Sequence, residues 1–276
     1  MTQHDKALAF SALHIPASPL ALANAWDVAS ARIVAATGAP AVATTSAGVA
    51  WGLGAADGDH LARDLMLDLV RRVADAVDVP VTADIESGFG ATAAEVGETV
   101  GLVIAAGAVG VNIEDGRHDG TSPIRPVAEQ VERLAAARAA ADQAGLPLYL
   151  NARVDLYLRG VGEGPERLAE TLARAEAYLA AGASGVFVPG VSSPREISAL
   201  TAGIGAPVNI LVQPQMPSVP ELGRLGVARV SLGSAVAEAA YGVVRRAALE
   251  LAESGTYASV RESMAYGEIN ALMMKG

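Results

Sequence analysis

The 276-residue chain contains no cysteine. Disulfides, thiolate metal sites, iron–sulfur clusters and a cysteine nucleophile are therefore excluded, and the redox compartment is left unread. Aromatic residues make up only 4% of the chain. Its core must come from small and aliphatic side chains, which suits helix-on-strand layers better than an aromatic-rich β-sandwich. Positive charge is in short supply: the formal net charge is -10, which argues against nucleic acid or an anionic membrane as partner. A local basic pocket for a small anion is still compatible with that balance. Gly, Pro and charged residues interrupt every apolar run before it reaches membrane-spanning length. The first twenty residues lack the basic start and long apolar core of a secretory signal. A cytoplasmic protein is the expectation.

What is present is an apolar fraction of 51% with 18% charged residues, ample for a large core at a length normal for one α/β barrel. Eight short apolar runs cover 20–23, 40–45, 79–85, 109–113, 148–152, 185–188, 207–212 and 229–232. Helical patterns alternate with them over 28–37, 61–77, 93–106, 127–143, 166–181, 194–201, 219–225 and 234–254, and a further helical tail is expected over 257–274. The runs are rich in Val, Ile, Leu and Ala without strict alternation, which predicts parallel strands covered on both faces. Eight βα repeats in this length predict a closed (β/α)8 TIM barrel with an extra C-terminal helix. No G-x-G-x-x-G follows the first run, so an open doubly wound sheet lacks support. One domain is expected over 1–276, with the barrel over about 20–254 and the tail over 255–276.

The stretch VPVTADIESGFG at 79–90 carries the strongest chemical signal. Residues two apart in a strand face the same way, so Asp84 and Glu86 are expected to leave the strand end together. Clustered acids without a nearby Lys or Arg are costly unless they hold a cation or share a proton. Catalytic groups of a barrel collect at the C-terminal ends of its strands. Those ends deliver Asn24 and Asp27, Thr45 and Ser46, Asp57, Asp84 and Glu86, Asn112 and Glu114, Arg153 and Asp155, and Asn209. Oxygen ligands of this kind suit Mg²⁺, with Mn²⁺ as its substitute. Arg153 can grip a carboxylate or phosphonate through paired hydrogen bonds, and Thr45 and Ser46 at a helix start can cradle a second anionic end. Structural roles compete: acids at strand ends cap helices, Arg153 can pair with Asp155 or Asp84, and His118 is expected in solvent on the loop over 116–126.

Taken in order, the segments Asn24-Ala25-Trp26-Asp27, TSAGVAWGLG from Thr45 with Asp57, ADIESGFG from Ala83, Ile113-Glu114-Asp115 and NARVD from Asn151 resemble the isocitrate lyase/phosphoenolpyruvate mutase superfamily. The resemblance implies an α/β barrel that uses Mg²⁺ to stabilise a pyruvate enolate while a C–C or P–C bond beside it is made or broken. It implies Asp84 as principal metal ligand, Glu86 where a second Asp is usual, and Glu114 and Asp57 as acids reaching the metal mainly through water. Arg153 matches the arginine that steadies the oxo-acid or departing group. Thr45, Ser46 and Ala47 fall where the substrate carboxylate is bound, with Trp26 grouped beside them, and Asn209 falls near a substrate-binding Asn of the lyase branch.

The departures matter too. The lyases' Lys-Lys/Arg-Cys-Gly-His loop is replaced by Gly-Arg-His-Asp-Gly-Thr-Ser from Gly116, with neither Lys nor Cys, and the mutase loop with its Lys and Asn is missing. The expectation is a Mg²⁺-dependent lyase cleaving a C–C bond in a small 2-hydroxy or 2-oxo di- or tricarboxylate, of the isocitrate, methylisocitrate or oxaloacetate kind. Arg153, Glu114 and His118 are its candidate catalytic groups, and the 116–126 loop is a candidate lid. Two alternatives stand beside it: a P–C bond enzyme resembling phosphonopyruvate hydrolase or phosphoenolpyruvate mutase, and a barrel that binds a 2-oxo-acid without turnover. The resemblance also implies a homotetramer, or a homodimer, with exchanged C-terminal helices. The competing expectation is a tail folded back on its own barrel.

Overall fold

Each apolar run is followed by a polar residue, Pro or Gly, and in the computed structural model the runs are short parallel strands, most of them buried on both faces. The structure describes residues 1–118 and 120–274; Asp119 of the 116–126 loop and the last two residues of the tail lie outside the described residues. Among the described residues there are nine strands: β1 (Leu20–Leu22), β2 (Asn24–Ala25), β3 (Val42–Thr44), β4 (Val81–Asp84), β5 (Gly110–Glu114), β6 (Tyr149–Arg153), β7 (Gly185–Val188), β8 (Val208–Leu211) and β9 (Arg229–Ser231). Ala23 alone parts β1 from β2. β1 pairs with β9 through Leu20↔Arg229, and β2 pairs with β3 through Asn24↔Ala43, so together they form one barrel strand that closes the sheet. This is the (β/α)8 TIM barrel that eight repeats predict.

Helices α1 (Gln3–Ala12), α2 (Val28–Ala36), α3 (Ser46–Gly52), α4 (Arg63–Ala76), α5 (Ala93–Ala105), α6 (Val127–Gln143), α7 (Gly164–Ala180), α8 (Pro194–Gly203), α9 (Val219–Arg224) and α10 (Ala235–Ser254) accompany the strands. Asp27 begins α2 in a capping box with Ser30, its Oδ1 accepting the Ser30 N–H at 2.7 Å, which gives this acid a structural role. α7 starts earlier than expected because Pro165 fills its first turn, where a missing N–H costs nothing.

Two helices were not anticipated. α3 is a short turn of helix directly after β3. α1 precedes the first run and plugs the N-terminal floor of the barrel. Ala7 and Phe10 of α1 are fully buried. Phe10 packs edge-on to Tyr149 at 5.6 Å between ring centroids, and His14 stacks on the same ring at 3.8 Å. Gly110 is bare at this point because a Cβ there would stand 2.8 Å from Phe10. The buried Arg229 lies 5.8 Å over the Phe10 ring and has no hydrogen-bond partner among the described residues; burial pulls its pKa down to about 10.

Burial, reinforced by the charge of Arg229, holds the His14 pKa down at about 3. The unfolded chain takes up this proton near pH 6.5 and the folded chain does not, so stability drains away as pH falls from about 6.5 toward 3, at roughly 1.4 kcal/mol per pH unit. His14→Phe is expected to make the pH dependence of urea-derived stability between pH 6 and 4.5 shallower by about one proton. An unchanged slope would refute the buried neutral imidazole.

The tail corrects the expectation of one helix over 257–274. α10 ends at Gly255 in a left-handed cap with φ 65°, a 3₁₀ turn spans Ala258–Val260, and α11 covers Tyr266–Met273. Glu250 causes the break: its carboxylate accepts hydrogen bonds from Thr256 Oγ1 and from the N–H groups of Ala258 and Ser259, at 2.6 to 2.8 Å. α11 then lies against α2 of the same chain, where Arg32 Nη1 donates to the carbonyls of Leu272 and Met273 at 2.9 and 2.6 Å. No helix among the described residues is long and apolar enough to cross a membrane.

Candidate active site at the barrel mouth

The lower interior of the barrel is polar rather than aliphatic. Asn151 Nδ2 donates to Asn112 Oδ1 at 2.9 Å and to Asn209 Oδ1 at 3.2 Å. Asn209 Nδ2 in turn lies 3.3 Å from Ser231 Oγ. Both ends of the Asn209 amide are thus engaged in a ladder that joins β5, β6, β8 and β9, and this is where the structure places that expected substrate contact.

Above the ladder, β4 ends at Asp84. Its N–H donates to Thr44 Oγ1 at 2.9 Å, and its Oδ2 accepts the Ser46 N–H at 3.3 Å. Its Oδ1 is buried with no hydrogen-bond partner among the described residues. Burial pushes the Asp84 pKa up, with Arg153 opposing and Asp57 adding to the rise.

Glu86 does not leave the strand beside Asp84 as two-residue alternation predicts. The strand has already ended, and Glu86 sits in the left-handed region at φ 51°. Its Oε2 accepts the N–H of Gly58 at 2.7 Å and that of Asp59. Burial, against the help of the Asp59 N–H, raises its pKa to about 8. Gly88 at φ 102° and Phe89 at φ 51° continue the strained path. Arg133, fully buried on α6, clamps it by donating Nη2 to the carbonyls of Ser87 and Gly90 at 2.5 and 3.0 Å. Strain of this kind persists only where surrounding contacts over-determine it, and it concentrates at functional sites. Asp57 is exposed on the loop after α3, beside Gly58. Asp59, which the sequence reading passed over, accepts from Ser87 Oγ and keeps a buried, unpartnered Oδ1; the available signal was the Asp-Gly-Asp turn chemistry at 57–59. Replacing Glu86 with Ala is expected to cost about 1–3 kcal/mol in urea unfolding, because it strands the buried Gly58 N–H. Amide exchange at Gly58 and Asp59 should quicken. Exchange left as slow as before would refute the tie.

On β5 and β6, Glu114 faces Arg153 in direct register. Glu114 Oε2 meets Arg153 Nη1 at 2.6 Å. The other face of the Arg153 fork is taken by Asp155, Nε to Oδ1 at 2.6 Å and Nη2 to Oδ2 at 3.0 Å. Burial works against the charge of Arg153, but Asp155, Glu114 and Asp84 outweigh it and hold its pKa well above the usual value. Glu114 is buried, which raises its pKa despite Arg153. The pairing of Arg153 with Asp155 weighed as its structural role is therefore present, and Glu114 is a second partner.

His118 is not out in solvent. Its Nε2 lies 2.7 Å from Glu114 Oε1, and that hydrogen bond raises its pKa. Its ring also presses on the loop after α3: a Cβ on Gly58 would fall 2.4 Å from Nδ1. Behind this layer, the buried Asp115 accepts from the Asp155 N–H, Arg174 Nη1 and the Tyr178 hydroxyl at 2.9, 3.1 and 2.8 Å, fixing the two strand ends together. Thr45, Ser46 and Ala47 are buried where α3 begins. Trp26 is half-buried against them, since a Cβ on Gly48 would lie 2.7 Å from the Trp26 Cβ.

With this geometry in hand, the comparison with known sequences is decisive: the phosphoenolpyruvate phosphomutase family model matches residues 10–252. The chain belongs to that family. It is 40% identical to a protein of Burkholderia cenocepacia J2315 of known structure, provisionally described as a lyase/mutase, with a TM-score of 0.91 over 99% of this chain and 96% of that one. It is 31% identical over 192 residues to the 2-methylisocitrate lyase of Escherichia coli (strain K12), covering 68% of this chain and 63% of that enzyme. It also resembles, at 25% identity and a TM-score of 0.83, a phosphonopyruvate hydrolase solved with oxalate and Mg²⁺, covering 97% and 94% of the two chains. The family thus spans both C–C and P–C bond chemistry.

Proposed function

We propose that the barrel mouth is the active site of a Mg²⁺-dependent lyase cleaving a C–C bond in a small 2-hydroxy or 2-oxo di- or tricarboxylate. The observation that carries the reading is the buried, unpartnered Oδ1 of Asp84, set among further acids at the strand ends. Among the described residues no three acid or histidine side chains form a ready metal cage. One carboxylate ligand, with water and substrate completing the shell, is the pattern Mg²⁺ favours, and the all-oxygen donor set suits it. Asp84 would hold the ion directly, with Asp57, Glu86 and Glu114 reaching it through water. When bound, the ion supplies a Lewis acid toward the substrate carbonyl.

The chain's own groups do the rest. Thr45, Ser46 and Ala47, buried where α3 begins, receive the substrate carboxylate through the Thr45 and Ser46 hydroxyls and the Ala47 N–H, with Trp26 walling that side. The Thr45 N–H is held by the Ala25 carbonyl and the Ser46 N–H by Asp84. Arg153, held charged by its two carboxylates, faces the negative charge that develops as the bond breaks. His118, oriented by Glu114, carries the proton in a chain that has no thiol. Asn209 acts from below through the Asn ladder. The 116–126 loop is the lid, its base fixed by Arg117 and Arg125 on Glu129.

The test is a panel of isocitrate, methylisocitrate, malate and oxaloacetate with Mg²⁺, assayed for pyruvate, glyoxylate or oxalate and repeated with EDTA. Metal-dependent turnover of one class, lost in Asp84→Ala, is expected. Turnover of phosphonopyruvate alone, followed by phosphorus NMR, would replace the C–C reading with P–C cleavage. Metal-dependent binding without any product would leave only a binding barrel. The same reading includes a homotetramer or homodimer, with exchange of the C-terminal helices set against the seating of α11 on its own α2. In its favour, only Ala237 of the 20 residues of α10 is buried, while Val244 and Leu251 each expose 64% of their surface; light scattering measures the assembly.

A further inference from the structure

We propose that Arg159 reads the distal carboxylate of the substrate and so makes the site selective for dicarboxylates over simple 2-oxo-acids. This rests on the active-site reading above and narrows its substrate class. Arg159 stands on the loop after β6, with its side chain 27% exposed at the mouth. Its Nη2 lies 2.9 Å from Nε2 and 3.2 Å from Nδ1 of His118. His118 therefore stands between the Arg159 guanidinium and Glu114 Oε1, which lies 2.7 Å from Nε2.

The other cations of this region are committed. Arg153 is already paired with two carboxylates, Glu114 and Asp155. Arg117 and Arg125 are spent on Glu129. For Arg159 the nearest carboxylate contact is Nε to Asp155 Oδ2 at 3.7 Å, beyond hydrogen-bonding distance, and that carboxylate is already bound by the Arg153 fork. Among the described residues, Arg159 is thus a cation at the opening with no carboxylate in hydrogen-bonding range.

Its approach to the acids is built into the chain. A Cβ at Gly116 would fall 3.1 Å from Arg159 Nη2, 3.1 Å from Glu114 Oε1 and 2.8 Å from Asp155 Oδ2. Any larger residue there would push the guanidinium away from the site. A planar fork of donors beside a site that already holds the oxo-acid end fits a second carboxylate through paired, charge-assisted hydrogen bonds.

The experiment is calorimetry in Mg²⁺ with pyruvate, malate and 2-oxoglutarate, on the wild type and on Arg159→Gln. The wild type is expected to bind at least one of the two dicarboxylates tenfold or more tighter than pyruvate. Arg159→Gln should weaken that dicarboxylate roughly 10- to 100-fold and leave pyruvate within about twofold. Equal losses for pyruvate and dicarboxylate would overturn the proposal and reduce Arg159 to positioning His118. An unaffected dicarboxylate would overturn it outright. Failure of the wild type to bind any of the three acids would overturn the active-site reading itself, and this proposal with it.

Discussion

On the proposed reading, Asp84→Asn is expected to abolish Mg²⁺-dependent binding of the small carboxylate substrate while leaving the metal-free protein at least as stable as the wild type. The loss should reach roughly 10³-fold, since the variant removes the carboxylate proposed to hold the ion directly, and its charge. The stability side follows from the environment. The Asp84 carboxylate accepts one long hydrogen bond from Ser46 at 3.3 Å, has an orphaned Oδ1, and is pushed toward protonation by burial. An amide of the same shape relieves the desolvation of that charge, the largest effect acting on it, and its repulsion with Asp57, against a smaller loss of attraction to Arg153. Calorimetry reads the first effect and urea unfolding in EDTA the second. Undiminished Mg²⁺-dependent carboxylate binding, or a variant that unfolds far more easily, would show that Asp84 is a structural acid.

Arg153→Met is expected to produce the opposite outcome, a large loss of stability. Glu114 and Asp155 are both buried, and each makes its close contact with the same guanidinium. Removing the shared cation leaves two buried carboxylates at the ends of β5 and β6 with only His118 on Glu114 and the more distant Arg159 near Asp155, at a cost of about 3–5 kcal/mol. Arg153→Lys keeps a charge but not the fork that spans both acids, so it should fall between. Adding Asp155→Asn to Arg153→Met should recover part of the loss, a non-additivity that a double-mutant cycle isolates. A methionine variant as stable as the wild type would mean the pair contributes nothing.

The fold was legible because barrel strands are buried on both faces and their apolar runs are bounded by Gly, Asp and Pro at regular spacing. Their order alone places Asp84, Glu114 and Arg153 at one end. What the sequence hid has specific physical causes. α1 shows little apolar periodicity, since only Ala7 and Phe10 are buried from its ten residues, and its docking partners, Tyr149 and Arg229, lie far along the chain. Glu86 was misplaced because alternation holds only while the strand lasts, and a left-handed φ turns its carboxylate to the loop at Gly58. His118 looked like a loop residue in solvent because nothing local announces a bond to Glu114. The tail broke at Glu250, whose three acceptor contacts come from residues six to nine positions later.

The split first strand also governs synthesis. β1 has its hydrogen-bonding partner in β9, and α1 rests on Tyr149 and Arg229. A chain still emerging from the ribosome therefore carries an open sheet edge at Leu20–Leu22 and an unseated N-terminal helix until residue 231 has appeared. Open edges of this kind template aggregation. Chains halted after β8 should accordingly associate with chaperones or precipitate, whereas three more residues of strand supply the missing edge.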